Sequence, residues 1–451
     1  MRWTGAALGA AAVVGAATTI SLQAVLTIVL VAVVGVAHAR SRAIGFTSLW
    51  ALWFFTPFLR RVLDLVGDNS SGPDILALAP FIATLIVAIV EYYRHPLKGR
   101  ALVIPVLVLG GLAIGVLSGL DDPQPLIFGS LAYLASLGGY VIGYAEPLRR
   151  GEPPRLERVM LLLLPIVALY AIYQSLFPLP QWDAEWLRSV DIVQFGSKEA
   201  GNFRAFSTLN APAPLGAVLA VLVALCLTAR RQSAYVTIVG AVALAGMAVT
   251  FVRSAWLAVG VAMILTLLIG RGRYVARVLV LATLLLAMVL ALGPRSTIGA
   301  QVIERATTLT TLGQDTSAQS RLDTTSSVLP VAVRQPIGAG IGAVGQARKI
   351  SNAPEKINFP DNGYLAILYQ TGPVGFALIV GALLWVLVVG LRARVAREWQ
   401  VLKISCAVAL GTLMFLEIGA DIIYGVTGPM IWYFAGLMMR VRDTTRGLSA
   451  G

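Results

Sequence analysis

Residues 234–270 read AYVTIVGAVALAGMAVTFVRSAWLAVGVAMILTLLIG, and Arg253 is the one charged residue in the stretch. Either side of it lies an apolar run close to the ~20 residues that a helix needs to cross a bilayer. A guanidinium facing lipid is costly. The stretch therefore reads as two membrane helices, with Arg253 at their turn or facing a polar cavity. The bland alternative is an arginine that snorkels to the interface. That alternative is weaker on the outer side of a membrane, because basic residues concentrate in cytoplasmic loops.

The rest of the chain repeats this texture. Of 451 residues, 57% are hydrophobic and 13% charged, and the mean hydropathy is +0.80. Soluble domains carry about 25% charged residues, so the class is a polytopic membrane protein. Apolar runs fall near 5–20, 22–38, 43–59, 73–91, 101–119, 126–144, 157–177, 213–229, 234–251, 254–270, 274–293, 362–391, 401–418 and 424–440. The expected fold is all-α: one transmembrane bundle over 1–451 of about 12–14 helices. Ala37-His38-Ala39 resembles a signal-peptidase site, but the apolar run from Gly5 to Val36 far exceeds the ~7–15 residues of a signal core. It reads as two short membrane helices that stay in the mature chain.

The formal charge of +13 is explained by basic loops held inside. No zinc-finger spacing or basic helix with stacking aromatics points to nucleic acid. Cys226 and Cys406 sit in apolar runs and read as small core residues. Short basic breaks (Arg40/Arg42, Arg94/Lys98/Arg100, Arg149/Arg150/Arg155/Arg158, Arg230/Arg231, Arg271/Arg273, Arg392/Arg394/Arg397, and Arg440, Arg442 and Arg446) alternate with longer or nearly neutral ones. The basic set is expected in the cytoplasm with both chain ends. Residues 178–212 and 294–360 are expected as extracytoplasmic loops, the larger late in the chain. Long loops are usually functional or disordered.

The outer segments hold Arg204, Arg295, Arg305, Arg321 and Arg334. Guanidinium groups suit a diphosphate, because their planar fork binds phosphate oxygens in pairs. Arg204, Arg321 and Arg334 rank above Arg295 and Arg305. Each is as readily a solvated loop charge. Pro336–Gly345, PIGAGIGAVG, lacks the Lys-Ser/Thr of a phosphate-binding loop and reads first as a packed turn near the membrane surface. Asp361 stands before Asn362, where the large loop enters the next helix. It is either a helix N-cap or a general base. His38 and His95 both fall at expected cytoplasmic borders, so an outer base would have to be a carboxylate. Glu417 and Asp421, spaced i,i+4, are the second candidates. The outer segments hold no metal-ligand cluster and no serine–histidine or cysteine–histidine pair.

Several of these segments together resemble the O-antigen ligase and O-antigen polymerase superfamily. TFVRSAWLA, Thr250–Ala258, is similar to its helix with a serine–arginine pair, with Val252 in place of the serine. Arg321, an apolar stretch and Pro336-Ile337-Gly338-Ala339-Gly340 form the second pattern. DNGYLAILYQTGPVG, Asp361–Gly375, resembles the ligase motif of His, then Asn, Ser or Gln, nine residues, Gly, two residues, Gly. Asn362, Gly372 and Gly375 fit, and Asp361 holds the histidine position. RAFSTLNAPAPLG, Arg204–Gly216, is a looser echo. The resemblance implies a GT-C-like glycosyltransferase that needs no cofactor, metal or nucleotide sugar. Its donor would be a polyprenyl-diphosphate-linked oligosaccharide, and its acceptor a glycan or lipid. Arg204, Arg253 and Arg321 would bind the diphosphate and Asp361 would be the base. Arg334, Asn362, Glu417 and Asp421 are further candidates. The setting would be the inner (cytoplasmic) membrane, among its lipids, with the active site outside. The aspartate leaves a polysaccharide polymerase, or a ligase with another acceptor, ahead of a strict lipid A-core ligase. A secondary transporter or flippase is the main rival, although the related halves expected of one are not seen. A peptidoglycan-type membrane polymerase is a second rival, against which the Asp361–Gly375 segment counts, and a non-catalytic export scaffold is a third.

The expected topology is testable with single cysteines and an impermeant thiol reagent in intact cells. Positions 204, 321 and 361 should label, and positions 150, 230 and 394 should label only after the membrane is opened. Labelling of 361 only after opening would put the site on the wrong side.

Overall fold

The hairpin forms, with its turn at the arginine. One helix runs Ala234–Ala248, residues 249–252 turn, and the next begins at Arg253. The computed structural model describes residues 22–66, 75–189, 195–196, 203–270, 272, 274–292, 316–350, 362–421 and 423–448. Every regular element among them is helical. In chain order they are α1 (Leu22–Arg40), α2 (Arg42–Val66), α3 (Ala79–Arg94), α4 (Arg100–Ser118), α5 (Pro123–Tyr144), α6 (Arg155–Leu176), α7 (Gln181–Ser189), α8 (Pro212–Thr228), α9 (Ala234–Ala248), α10 (Arg253–Gly270), α11 (Val275–Leu292), α12 (Thr316–Arg334), α13 (Gln346–Ile350), α14 (Gly363–Arg392), α15 (Gln400–Leu416) and α16 (Thr427–Leu448). Among the described residues, eight helices are long and apolar enough to cross a membrane, and shorter apolar ones accompany them. The chain is a polytopic helical membrane protein. The run near 5–20 lies outside the described residues.

The helices alternate in direction, so the molecule has two chemically different ends. At the basic end Arg150 pairs with Glu398 at 3.0 Å, and Arg230 donates to the Glu398 carbonyl. Both histidines are there: Glu91 binds His38 at 2.9 Å and pairs with Arg42, which also reaches His95 and the Ala145 carbonyl. At the opposite end lie the α9–α10 turn, the start of α14 and the end of α15. The α5 helix joins the two ends, with Asp122 before its start and Glu146 beyond its finish. Its 22 residues span about 33 Å.

Small residues let the central helices touch. A Cβ on Gly139 or Gly143 of α5 would overlap the Pro429 or Tyr433 carbonyl of α16, and one on Gly436 would overlap the Tyr140 carbonyl. Close backbone approach of this kind packs helices where lipid offers no hydrophobic drive. The α8 helix is apolar all round and buried along nearly its whole length, as expected of a helix surrounded by others.

The glycine segment 336–345 packs into a break in α14. Pro373 has no N–H for the Tyr369 carbonyl, and Gly372 turns the chain with φ +67° and ψ 176°. The freed carbonyls of Tyr369 and Gln370 accept from the N–H groups of Ala339 (2.8 Å) and Gly340 (3.2 Å). The Gly115 carbonyl at the end of α4 accepts from Ile341 at 2.9 Å, and the Gln370 side chain accepts from Gly342 at 2.7 Å. The segment is thus the packed turn of the first reading. Gly372 has a backbone open almost only to glycine, and a Cβ there would overlap the Pro336 carbonyl.

Two substitutions in α14 should therefore behave oppositely. Gly372→Ala is expected to destabilise the protein by at least the ~1–3 kcal/mol of such a backbone. Gly381→Ala, where a Cβ meets nothing within 4 Å, should be silent. Cys226 and Cys406 are buried and free, so the unfolding temperature can be read with a thiol-reactive dye.

Candidate functional site

The end opposite the basic loops holds Arg204, Arg253, Asn362 and Glu417 among the described residues. The segment 203–210 lies along the α9–α10 turn: Ala205 N–H donates to the Val249 carbonyl at 3.0 Å, and Arg204 Nε donates to the Thr250 carbonyl at 3.1 Å. Arg253, half-buried, follows three residues after Thr250 as the first residue of α10. Three non-glycine residues in the described chain have φ in the left-handed region: Ser207 (+50°), Asn210 (+56°) and Phe251 (+52°). All three lie in these two adjoining segments. Strained backbone persists only where the surroundings hold it, and it clusters at functional sites.

From Arg253 the site continues across α15 to α14. Ser254 lies against Gly419, where a Cβ would sit 2.9 Å from Cβ of Ser254. Glu417, 2% exposed, lies against Gly363, the first residue of α14, and its carbonyl accepts the Gly363 N–H at 2.8 Å. A side chain at 363 would overlap the Glu417 carboxylate, so glycine leaves that carboxylate its place at a helix N-terminus. Asn362 is the N-cap of α14, and its side chain accepts from Leu365 N–H at 3.1 Å.

Asp361 itself lies outside the described residues. The N-cap of the helix that follows is Asn362. Glu417 and Asp421 do not share a helix face as their spacing had suggested. The α15 helix ends at Leu416, and Ile418 and Gly419 close tighter i→i−3 bonds to Phe415 and Leu416. Asp421 instead faces the glycine turn, near Gly345. Arg321 and Arg334 lie on one helix, α12, whose last residue is the exposed Arg334. Arg295, Arg305 and the side chain of Arg321 lie outside the described residues.

Behind the glycine turn is a buried polar network. Gln370 Oε1 accepts from Tyr424 OH at 2.6 Å, and Gln370 Nε2 donates to Tyr133 OH at 3.2 Å. The two rings meet edge to face, 5.4 Å apart. Burial first, and then the nearby Asp421, push the Tyr424 hydroxyl above its ordinary value, so it stays a neutral donor.

Sequence reasoning missed four charged residues here. Arg348, 2% exposed, pairs with Asp122 at 2.8 Å. Arg61 of α2 and Asp183 of α7 are both fully buried, with Arg61 Nε 3.3 Å from Asp183 Oδ1. The signal for Arg61 was the one used for Arg253, a charge within an apolar helix.

The fold and site thus define a multi-pass membrane protein with arginines, carboxylates and strained backbone at one end. Residues 238–380, about a third of the chain, match the family model described as O-antigen ligase, and the match supports a place in the O-antigen ligase superfamily. That match supports O-antigen ligase-like processing of glycans at a membrane. The matched segment includes Arg253, α12, the glycine turn and Asn362, but not Arg204, Glu417 or Asp421. No curated protein matches the chain.

Asn362→Ala should remove the cap of α14, costing about 1 kcal/mol and lowering the dye-detected unfolding temperature. Asp361→Ala, one residue before, should leave that temperature unchanged.

Proposed function

We propose that this protein is a glycosyltransferase that moves or polymerises a polyprenyl-diphosphate-linked glycan at the outer face of the inner membrane. The observation that carries the reading is the joining of Arg204 to the turn before Arg253, through the Thr250 carbonyl. This sets two guanidinium-bearing segments side by side at the end that also holds the start of α14.

In the reaction, Asp361 takes the proton of an acceptor hydroxyl. The hydroxyl oxygen attacks the anomeric carbon and forms the new glycosidic bond with inversion. The bond from that carbon to the diphosphate breaks, and the polyprenyl diphosphate leaves with the electron pair. Arg204, Arg253 and Arg321 hold the leaving group. Fixed cations in a partly dry site stabilise charge that grows during bond breaking, and no metal is required. Both histidines lie at the basic end, beside Glu91 and Arg42, which favours a carboxylate as base. The aspartate at the family's histidine position favours a polymerase, or a ligase with an acceptor other than lipid A-core.

Asp361→Asn should give a folded, inserted protein with transfer reduced about 10²–10⁴-fold, the usual cost of losing a general base. Asp361→His should recover part of the rate. If the asparagine variant turns over like wild type, Glu417 and Asp421 are the next bases to replace. Arg253→Lys should also lose most activity, because a point charge does not replace a two-pronged fork. Normal product from Arg253→Ala at normal protein level would contradict the diphosphate role.

A further inference from the structure

Arg61 lies far outside the matched segment, yet it reaches into the segment that carries Arg204. Its Nη2 donates to the Ser207 carbonyl at 2.6 Å, and its guanidinium lies over the Phe206 ring at 4.8 Å. Asp183, its ion-pair partner, accepts from Tyr170 OH and Gln174 Nε2, each at 2.6 Å. Gln174 Oε1 in turn accepts from the N–H groups of Phe206 and Ser207, and Ser207 Oγ donates to the Val167 carbonyl. One network from α2, α6 and α7 thus grips Phe206 and Ser207, two and three residues after Arg204. Ser207 is held in the left-handed region.

Stability alone is a poor reason for this arrangement. Taking two charges out of water costs several kcal/mol per ion, and well-packed apolar residues often serve a core as well or better. An ion pair that instead holds a strained backbone in one conformation sets the direction of what the backbone carries. We infer that Arg61 is a positioning residue. Through Ser207 and Asp183 it fixes the segment 204–210 so that Arg204 meets the diphosphate of the lipid-linked donor. This inference rests on the diphosphate role of Arg204 given above.

The test is a double-mutant cycle on the purified full-length protein, with farnesyl diphosphate binding as the probe and thiol-dye unfolding as the control. Arg61→Met with Asp183→Asn removes both charges and leaves an amide to accept from Tyr170. The pair variant should unfold near the wild-type temperature but bind the probe about tenfold more weakly. In an Arg204→Ala background the same replacement should change binding by less than about twofold, because contacts that act as one unit do not add. Wild-type affinity in the pair variant, or an equal loss in both backgrounds, would overturn the inference while leaving the role of Arg204 intact. No binding by wild type, or none lost on Arg204→Ala, would overturn both. Should the pair variant unfold, Arg61→Lys runs the same cycle. It keeps the charge against Asp183 but not the fork that also reaches Ser207.

Discussion

The break in α14 and the glycine turn that fills it hold this end of the molecule together. A helix that loses its ladder inside a membrane must satisfy its carbonyls from within the protein. Here the N–H groups of Ala339 and Gly340 answer the carbonyls of Tyr369 and Gln370. The exchange is mutual, since a Cβ on Gly338 would crowd Gly372 and a Cβ on Gly372 would overlap Pro336. The two glycine patterns that resemble the family are therefore one structural unit. Their first task is to seat α12 against α14, where Val328 and Ala332 pack with Leu365, Ala366 and Tyr369.

Around that unit the charges are sorted by position. Exposed arginines crowd the basic end, where Glu398 ties two loops together. At the opposite end Arg61 and Asp183 form a fully buried pair, and buried Arg348 pairs with the half-exposed Asp122. Burial of this kind is expensive. Three left-handed non-glycine residues lie at the same end. Under the proposed function, a site that grips a diphosphate, yet lets it leave, needs cations whose directions are set in advance.

The helices were legible because apolar runs and basic breaks follow directly from the thickness and the charge rule of a bilayer. The run expected near 213–229 is the helix Pro212–Thr228, and that near 362–391 is Gly363–Arg392. Arg253 was legible for the same reason. The sequence left open which of Asp361 and Asn362 begins the helix, because Asp and Asn cap equally well, and the structure gives the N-cap to Asn362. The helical pairing of Glu417 with Asp421 failed because the tight turn at Gly419 closes α15 early. Arg61 and Asp183 were not paired, since they stand 122 residues apart in sequence and neither lies in a motif. Hydropathy places a residue along the membrane normal, but it does not say which neighbour it meets.

The most direct test of the account is turnover by the purified protein in detergent, with a lipid-linked oligosaccharide as donor, a chelator present and no ion gradient. Glycosyl transfer predicts consumption of the donor and release of one polyprenyl diphosphate for each glycosidic bond formed. Intact donor after incubation with an accepted glycan or lipid, together with gradient-dependent movement of that donor across vesicles, would contradict it and point to a transporter.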